Sequence, residues 1–155
     1  MSKSLKRVRA ALEASGLASD VRETDGARTA QLAADAVGCE LDQIAKSIIF
    51  CGETSGEAIL FLTAGGNQVD TNKASDIAGE RLGKADATLV RRQTGFAIGG
   101  VSPIGHLNPI RAFVDKRLFE FDLVWAAAGT PNHVFHIDPH KLPVLTGAIE
   151  AEFTE

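Results

Sequence analysis

An α+β domain with a mixed β-sheet, partly barrel-like and wrapped by helices, is the fold class this 155-residue chain predicts. Two kinds of apolar pattern carry that expectation: stripes at helical spacing, and short apolar runs too brief for helices. They alternate without a regular strand–helix–strand rhythm, which argues against a parallel α/β sheet. The length suits one core, so residues 1–155 read as a single domain.

Taken in order, Leu5, Val8 and Leu12 recur at helical spacing and Gly16 supplies a stop, so residues 4–15 read as an amphipathic helix. Thr29 is placed to cap a second helix running through Ala36, ended by Gly38. A short third helix follows over 41–46. SIIFC (47–51) and AILFLTA (58–64), joined by GETSG, read as a buried hairpin. Residues 71–79 and 86–94 read as helices. Short strands come at 111–114, 123–127 and 134–137, and a last helical turn over 139–145 begins at Pro139, the favoured first helical position. There is no internal repeat, low-complexity segment or linker.

Hydrophobic residues make up 45% and charged residues 23%, the balance of a soluble globular protein. No apolar run approaches the roughly 20 residues of a membrane span, and the stretch MSKSLKRVRAAL lacks the apolar core of a signal peptide. The net charge of −4 argues against a protein that coats nucleic acid, but not against contact with one end of it. Lys3, Lys6, Arg7 and Arg9, and the pair Arg91–Arg92, read as solvated helix faces. Cys39 and Cys51 lack CxxC partners, which points to reduced thiols in a cytoplasmic setting. Cys51 closes an apolar run and reads as a buried, inert thiol.

Two features could carry chemistry. The stretch GFAIGGVSPIGH (95–106) holds four glycines and one proline among buried-type apolar residues. Its backbone could aim N–H groups at an oxyanion or phosphate oxygen; equally, it could be an irregular turn tucked under the core. Lys46, in LDQIAKSIIF, stands where the predicted helix meets the predicted strand. It reads either as a cation favoured by a helix C-terminus or as a functional ammonium at the edge of the core. His133, His136, Asp138 and His140 fall within eight residues, but a strand would turn His133 and His136 to opposite faces, so no metal site is expected. There is no GxSxG elbow, P-loop or HExxH motif.

Together, TAQLAADAVG, QIAKSIIF, LTAGGNQVDTNKAS, GGVSPIGH and AAAGTPNHVFHIDPHKL resemble the YbaK and prolyl-tRNA-synthetase-associated editing domains, over nearly the whole chain. The resemblance implies hydrolysis of mischarged aminoacyl-tRNA at its 3′ end by a free-standing domain that needs no cofactor. Lys46 matches the family lysine that helps hold the terminal adenosine and the ester. Gly99 to Pro103 match the GxxxP loop whose backbone faces the aminoacyl carbonyl, with Lys46, Gly99 and Gly100 in catalytic roles. Val101, Ser102, Pro103 and His106, then Gly129, Thr130 and His133 in the late turn, are implied substrate contacts. Asp70 has a structural role. On this reading, glycines at 99 and 100 leave room for the ester carbonyl and Pro103 stiffens the loop. Water is the expected nucleophile, assisted by loop N–H groups and the substrate's 2′-hydroxyl.

The substrate implied is a small amino acid, on a tRNA of the proline type, held by its acceptor end; an aminoacyl-tRNA synthetase is a further possible partner. Two other readings stay open. A non-catalytic module keeping the same pocket would bind tRNA or a synthetase without turnover. A hydrolase of small free esters would act without tRNA.

Overall fold

The computed structural model describes residues 2–17 and 20–155. Helix α1 (Lys3–Ala14) starts at Ser2, whose hydroxyl accepts from Leu5 N–H, and buries Leu5, Val8 and Leu12. Strand β1 (Arg22–Glu23) precedes α2 (Ala30–Val37), which Thr29 caps by accepting from Leu32 N–H and which Gly38 ends at φ 75°. One turn of 3-10 helix, Leu41–Gln43, leads into β2 (Ile44–Gly52).

The expected helix over 41–46 is thus shorter and the strand longer: Lys46 lies inside β2. The cause is tertiary. Ile44 and Ala45 pair in parallel with Trp125 and Ala126, and that ladder pulls the start of the strand back from Ser47.

Strand β3 (Ala58–Ala64) completes the hairpin and is buried at every residue. Helix α3 (Thr71–Ala78) is capped by Asp70, which accepts from Asn72 and Lys73 N–H. Then come β4 (Leu82–Lys84), α4 (Ala87–Thr94), β5 (Arg111–Asp115), a 3-10 segment (Lys116–Glu120), β6 (Val124–Ala127), β7 (His133–Ile137), α5 (Lys141–Thr146) and β8 (Ile149–Ala151).

The sheet is mixed, in the order β1-β7-β6-β2-β3-β5-β8, with β4 joined to β2. β3 runs antiparallel along β2 from Ala45 to Cys51, occupying one edge throughout. β6 and β4 must therefore share the other edge. β6 takes Ile44–Ala45 and β4 takes Phe50–Gly52, which leaves a gap between them. Lys46, Gly99, Val101, Thr130 and His133 gather at that gap.

Among the described residues three apolar clusters hold the fold. α1 packs on the sheet face that carries Leu60, Leu62, Val114 and Phe135. α3 covers the opposite face around Phe61, whose ring contacts Phe113 at 5.3 Å and Phe153 at 5.0 Å. α2 covers Ile44, Trp125 and Val134. The chain contains no helix long and apolar enough to cross a membrane among the described residues.

Candidate active site

A cleft of about 340 Å³ opens at the gap in the sheet. Lys46 comes to it from β2, Gly99 and Val101 from the glycine-rich loop, and Thr130 and His133 from the β6–β7 turn. Segments up to 87 positions apart in sequence thus meet on one wall, as Lys46 and His133 do. Arg28 and Thr29, from the entrance to α2, Trp125, from β6, and Ser47 and Ile48, from β2, also line it.

Lys46 Nζ donates to Asn67 O at 2.6 Å. No helical carbonyl receives it, so the helix-end role considered for this cation does not apply. Asn67 is fixed in turn by Asp115, whose Oδ2 accepts from Asn67 Nδ2 at 2.9 Å and Ala64 N–H at 3.0 Å, while Oδ1 accepts from Arg117 N–H. Burial pushes the Lys46 ammonium below its ordinary range, and the carboxylates of Asp115 and Asp42 partly counter it. An ammonium has three donors, so one bond to Asn67 leaves two free for a ligand.

The loop answers both readings of its sequence. Phe96, Val101, Ser102 and Ile104 are buried, so it is tucked under the core, yet Gly99 and Val101 face the cleft. Its glycines have different reasons. Gly99 sits at φ 90°, a left-handed backbone that favours glycine. At Gly100 the crowding comes from the protein: an added Cβ would lie 2.8 Å from Thr130 Cα. Gly100 N–H closes the turn onto Ala97 O at 3.0 Å. The room expected there for an ester carbonyl is filled by the Thr130 backbone, and the N–H expected to face it is already used.

Four residues expected at the substrate, Ser102, Pro103, His106 and Gly129, stand outside this cleft. His106 and Pro103 line a second cavity behind the loop. The His106 ring meets Ser102 O at 2.6 Å through Nε2 and packs edge-on against Phe96. Ser102 is fully buried, its hydroxyl accepting from Ile104 N–H. Gly129 is also placed by packing, since a Cβ would lie 2.7 Å from Ser4 O of α1. These residues hold the loops in place.

Thr130 Oγ1 and His133 Nδ1 share a hydrogen bond of 2.6 Å, and Thr130 Oγ1 also accepts from Asn132 N–H. This pair presents the histidine at the cleft. His136, three residues on along β7, packs against Trp125 at 5.1 Å, and His140 Nδ1 lies 3.0 Å from Asp138. Among the described residues no three His, Cys, Asp or Glu side chains are grouped to hold a metal ion.

Two further expectations change. Arg7 is not merely solvated: it donates to Gly95 O at 2.6 Å and Gly105 O at 3.1 Å, clasping both ends of the loop, with its guanidinium over the Phe96 ring. Cys51 is half-buried rather than enclosed. Arg28, Trp125 and Ser47 were not singled out by the sequence. Their only signal is position beside Thr29, in a strand, and beside Lys46.

The profile of the aminoacyl-tRNA editing domain matches residues 24–144. YwhH of Bacillus subtilis, an uncharacterized protein, is 33% identical over 140 residues that cover 90% of this chain and 88% of that one. A proline–tRNA ligase of Limosilactobacillus fermentum is 30% identical over 101 residues, which cover 63% of this chain but 18% of the ligase. A crystal structure described as a candidate trans-editing enzyme for prolyl-tRNA synthetase is 46% identical, with a TM-score of 0.92 over 100% of this chain and 99% of that chain.

Proposed function

The chain belongs to the aminoacyl-tRNA editing domain family, and we propose that it hydrolyses mischarged aminoacyl-tRNA as a free-standing domain. The observation that carries this reading is the meeting of Lys46, Gly99, Val101, Thr130 and His133 on one cleft. The substrate is a tRNA of the proline type, in keeping with the descriptions of the ligase and of the similar structure, and it carries a small amino acid.

The cleft supplies the parts such a reaction needs. Two free protons of the Lys46 ammonium bind oxygens of the terminal ribose and the ester, while the Asn67 bond fixes the amine's direction. Thr29 and Arg28 offer a hydroxyl and a charge to the nucleoside. Water adds to the carbonyl carbon, the bond from that carbon to the ribose oxygen breaks, and the water's proton passes to the ribose oxygen by way of the neighbouring 2′-hydroxyl. Free amino acid and uncharged tRNA result. Since Gly100 N–H is engaged, the N–H groups of Gly99 and Val101 are the loop donors left for the developing oxyanion.

The test is deacylation of a panel of proline tRNAs charged with alanine, serine, cysteine or proline. Hydrolysis of one or more of the small mischarged esters, with prolyl-tRNA spared, is the expected result. Binding without turnover would make the domain a non-catalytic module. Equal hydrolysis of free aminoacyl esters would make it a general esterase.

A further inference from the structure

Ser47 and Ile49 of β2 both turn their backbone polar groups toward the gap in the sheet, and of the two Ser47 adds a hydroxyl. Gly52 N–H donates to Glu57 O on the β3 side. The β2–β3 register is continuous, so alternation along the ladder turns the N–H and C=O of Ser47 to the opposite edge. On that edge β6 reaches only Ala45 and β4 begins only at Phe50. Ser47 therefore has no strand opposite it. Its hydroxyl is also buried without a hydrogen-bond partner, in a strand that is otherwise apolar from Ile48 to Cys51. An unpartnered buried hydroxyl is unfavourable, and alanine would serve the core equally well.

What lies across the gap gives this arrangement a use. Ser47, Ile48, Gly99 and Val101 form the wall common to the cleft described above and a neighbouring one of about 390 Å³. The second cleft is lined by apolar side chains, among them Phe50, Leu82, Val90 and Ile98. A ligand reaching from one into the other passes the wall that Ser47 shares with Ile48, Gly99 and Val101.

We propose that Ser47 is a substrate-contacting residue that seats the aminoacyl group, its hydroxyl donating to the ester carbonyl oxygen. The proposal rests on the deacylation reading. Ser47 keeps its proton and forms no bond to carbon. A nucleophilic serine needs a base within hydrogen-bond reach, and its Oγ has no partner. As water adds, charge collects on the carbonyl oxygen and the serine hydrogen bond strengthens. When the bond to the ribose oxygen breaks, that charge collapses back into the carbonyl, and the ribose oxygen leaves with its electron pair and the water's proton.

The experiment compares wild type with Ser47→Ala in two measurements. The first is single-turnover deacylation of alanyl-tRNA of the proline type. The second is calorimetric binding of adenosine and of its non-hydrolysable amide, 3′-alanylamino-3′-deoxyadenosine. Ser47→Ala is expected to melt at or above the wild-type temperature, since it loses only an unpartnered hydroxyl. Its turnover should fall by about 10²-fold, the usual loss for one oxyanion donor. Affinity for the amide should drop about tenfold with adenosine binding unchanged, the scale of a single hydrogen bond. Ser47→Cys, nearly isosteric and a weak donor, should fall between and guards against a folding defect in the alanine variant. Unchanged turnover and amide affinity would overturn the role of Ser47 while leaving the deacylase reading intact. An inert wild type whose amide affinity still depends on Ser47 would keep the contact and remove the reaction.

Discussion

Gly100 and Thr130 touch backbone to backbone: a Cβ on the glycine would lie 2.8 Å from Thr130 Cα and 2.9 Å from its carbonyl carbon. Two loops from distant parts of the chain are locked at this point, and between them they bring Gly99 and His133 to the cleft. Backbone cannot swing aside as a flexible side chain does. Gly100→Ala should therefore cost about 1–3 kcal/mol, the range for overpacking, and lower deacylation in parallel because Thr130 and His133 shift together. Thermal melts beside rate measurements check it. A variant as stable and active as wild type would show that the two loops are not in register-defining contact.

Asp115 supports the lysine from behind. Its carboxylate accepts three hydrogen bonds, from Ala64 N–H, Asn67 Nδ2 and Arg117 N–H, in a site only 3% exposed. In Asp115→Asn one acceptor oxygen becomes an amide donor facing another donor. A loss of about 1–3 kcal/mol follows for the group left unsatisfied, read as a shift in denaturation midpoint with unchanged slope. Turnover should fall as well, since the Asn67 carbonyl that aims Lys46 loses its anchor. An unshifted midpoint would remove Asp115 from the supporting frame.

His106 predicts a pH dependence. Burial, with the charge of Arg7 nearby, holds its imidazole below the ordinary value of 6.5, while the bond to Ser102 O opposes the shift. The unfolded chain thus takes up a proton at a higher pH than the folded one. Stability contributed by the neutral ring is fully present above about pH 6.5 and is lost as pH falls through that value toward the folded pKa. The carboxylates of Glu80, Asp138 and Glu152 are held below their usual range and act only in more acid solution. Melting temperatures measured in steps below pH 6.5 should decline in wild type and decline less in His106→Gln. Parallel curves would mean that His106 does not carry the effect.

Much of this arrangement is legible in the sequence, and the failures have physical causes. The start of α2 was marked by Thr29, whose side chain does accept a backbone N–H of the first turn, while Asp70, read only as structural, caps α3. The hairpin was marked by its two apolar runs. Strands β1, β4 and β8 have two or three residues each, too few to show a period, and exist only through their partners. Lys46 was found for its neighbourhood but assigned to the wrong element, because the pairing of Ile44 with Trp125 lies across 81 positions. The glycine loop was recognised as unusual, yet a run of glycines cannot say whether a ligand or another backbone fills the space. For Gly100 it is the backbone of Thr130. His106 stands beside the loop in sequence but behind it in space, a distinction that only the burial of Phe96 reveals.

The deacylation of alanyl-tRNA of the proline type by wild type, Lys46→Ala and Lys46→Arg tests the central claim most directly. Wild type should hydrolyse the ester well above its spontaneous rate. Lys46→Ala gives up one hydrogen bond and a partly desolvated charge, so its stability should change by about 1 kcal/mol. Its turnover should fall by about 10²-fold or more, the loss that follows when a reacting group is misplaced. Lys46→Arg keeps the charge, but its planar fork cannot reproduce the ammonium's donors, so it should be impaired nearly as much. A folded Lys46→Ala protein that deacylates at the wild-type rate would contradict the account.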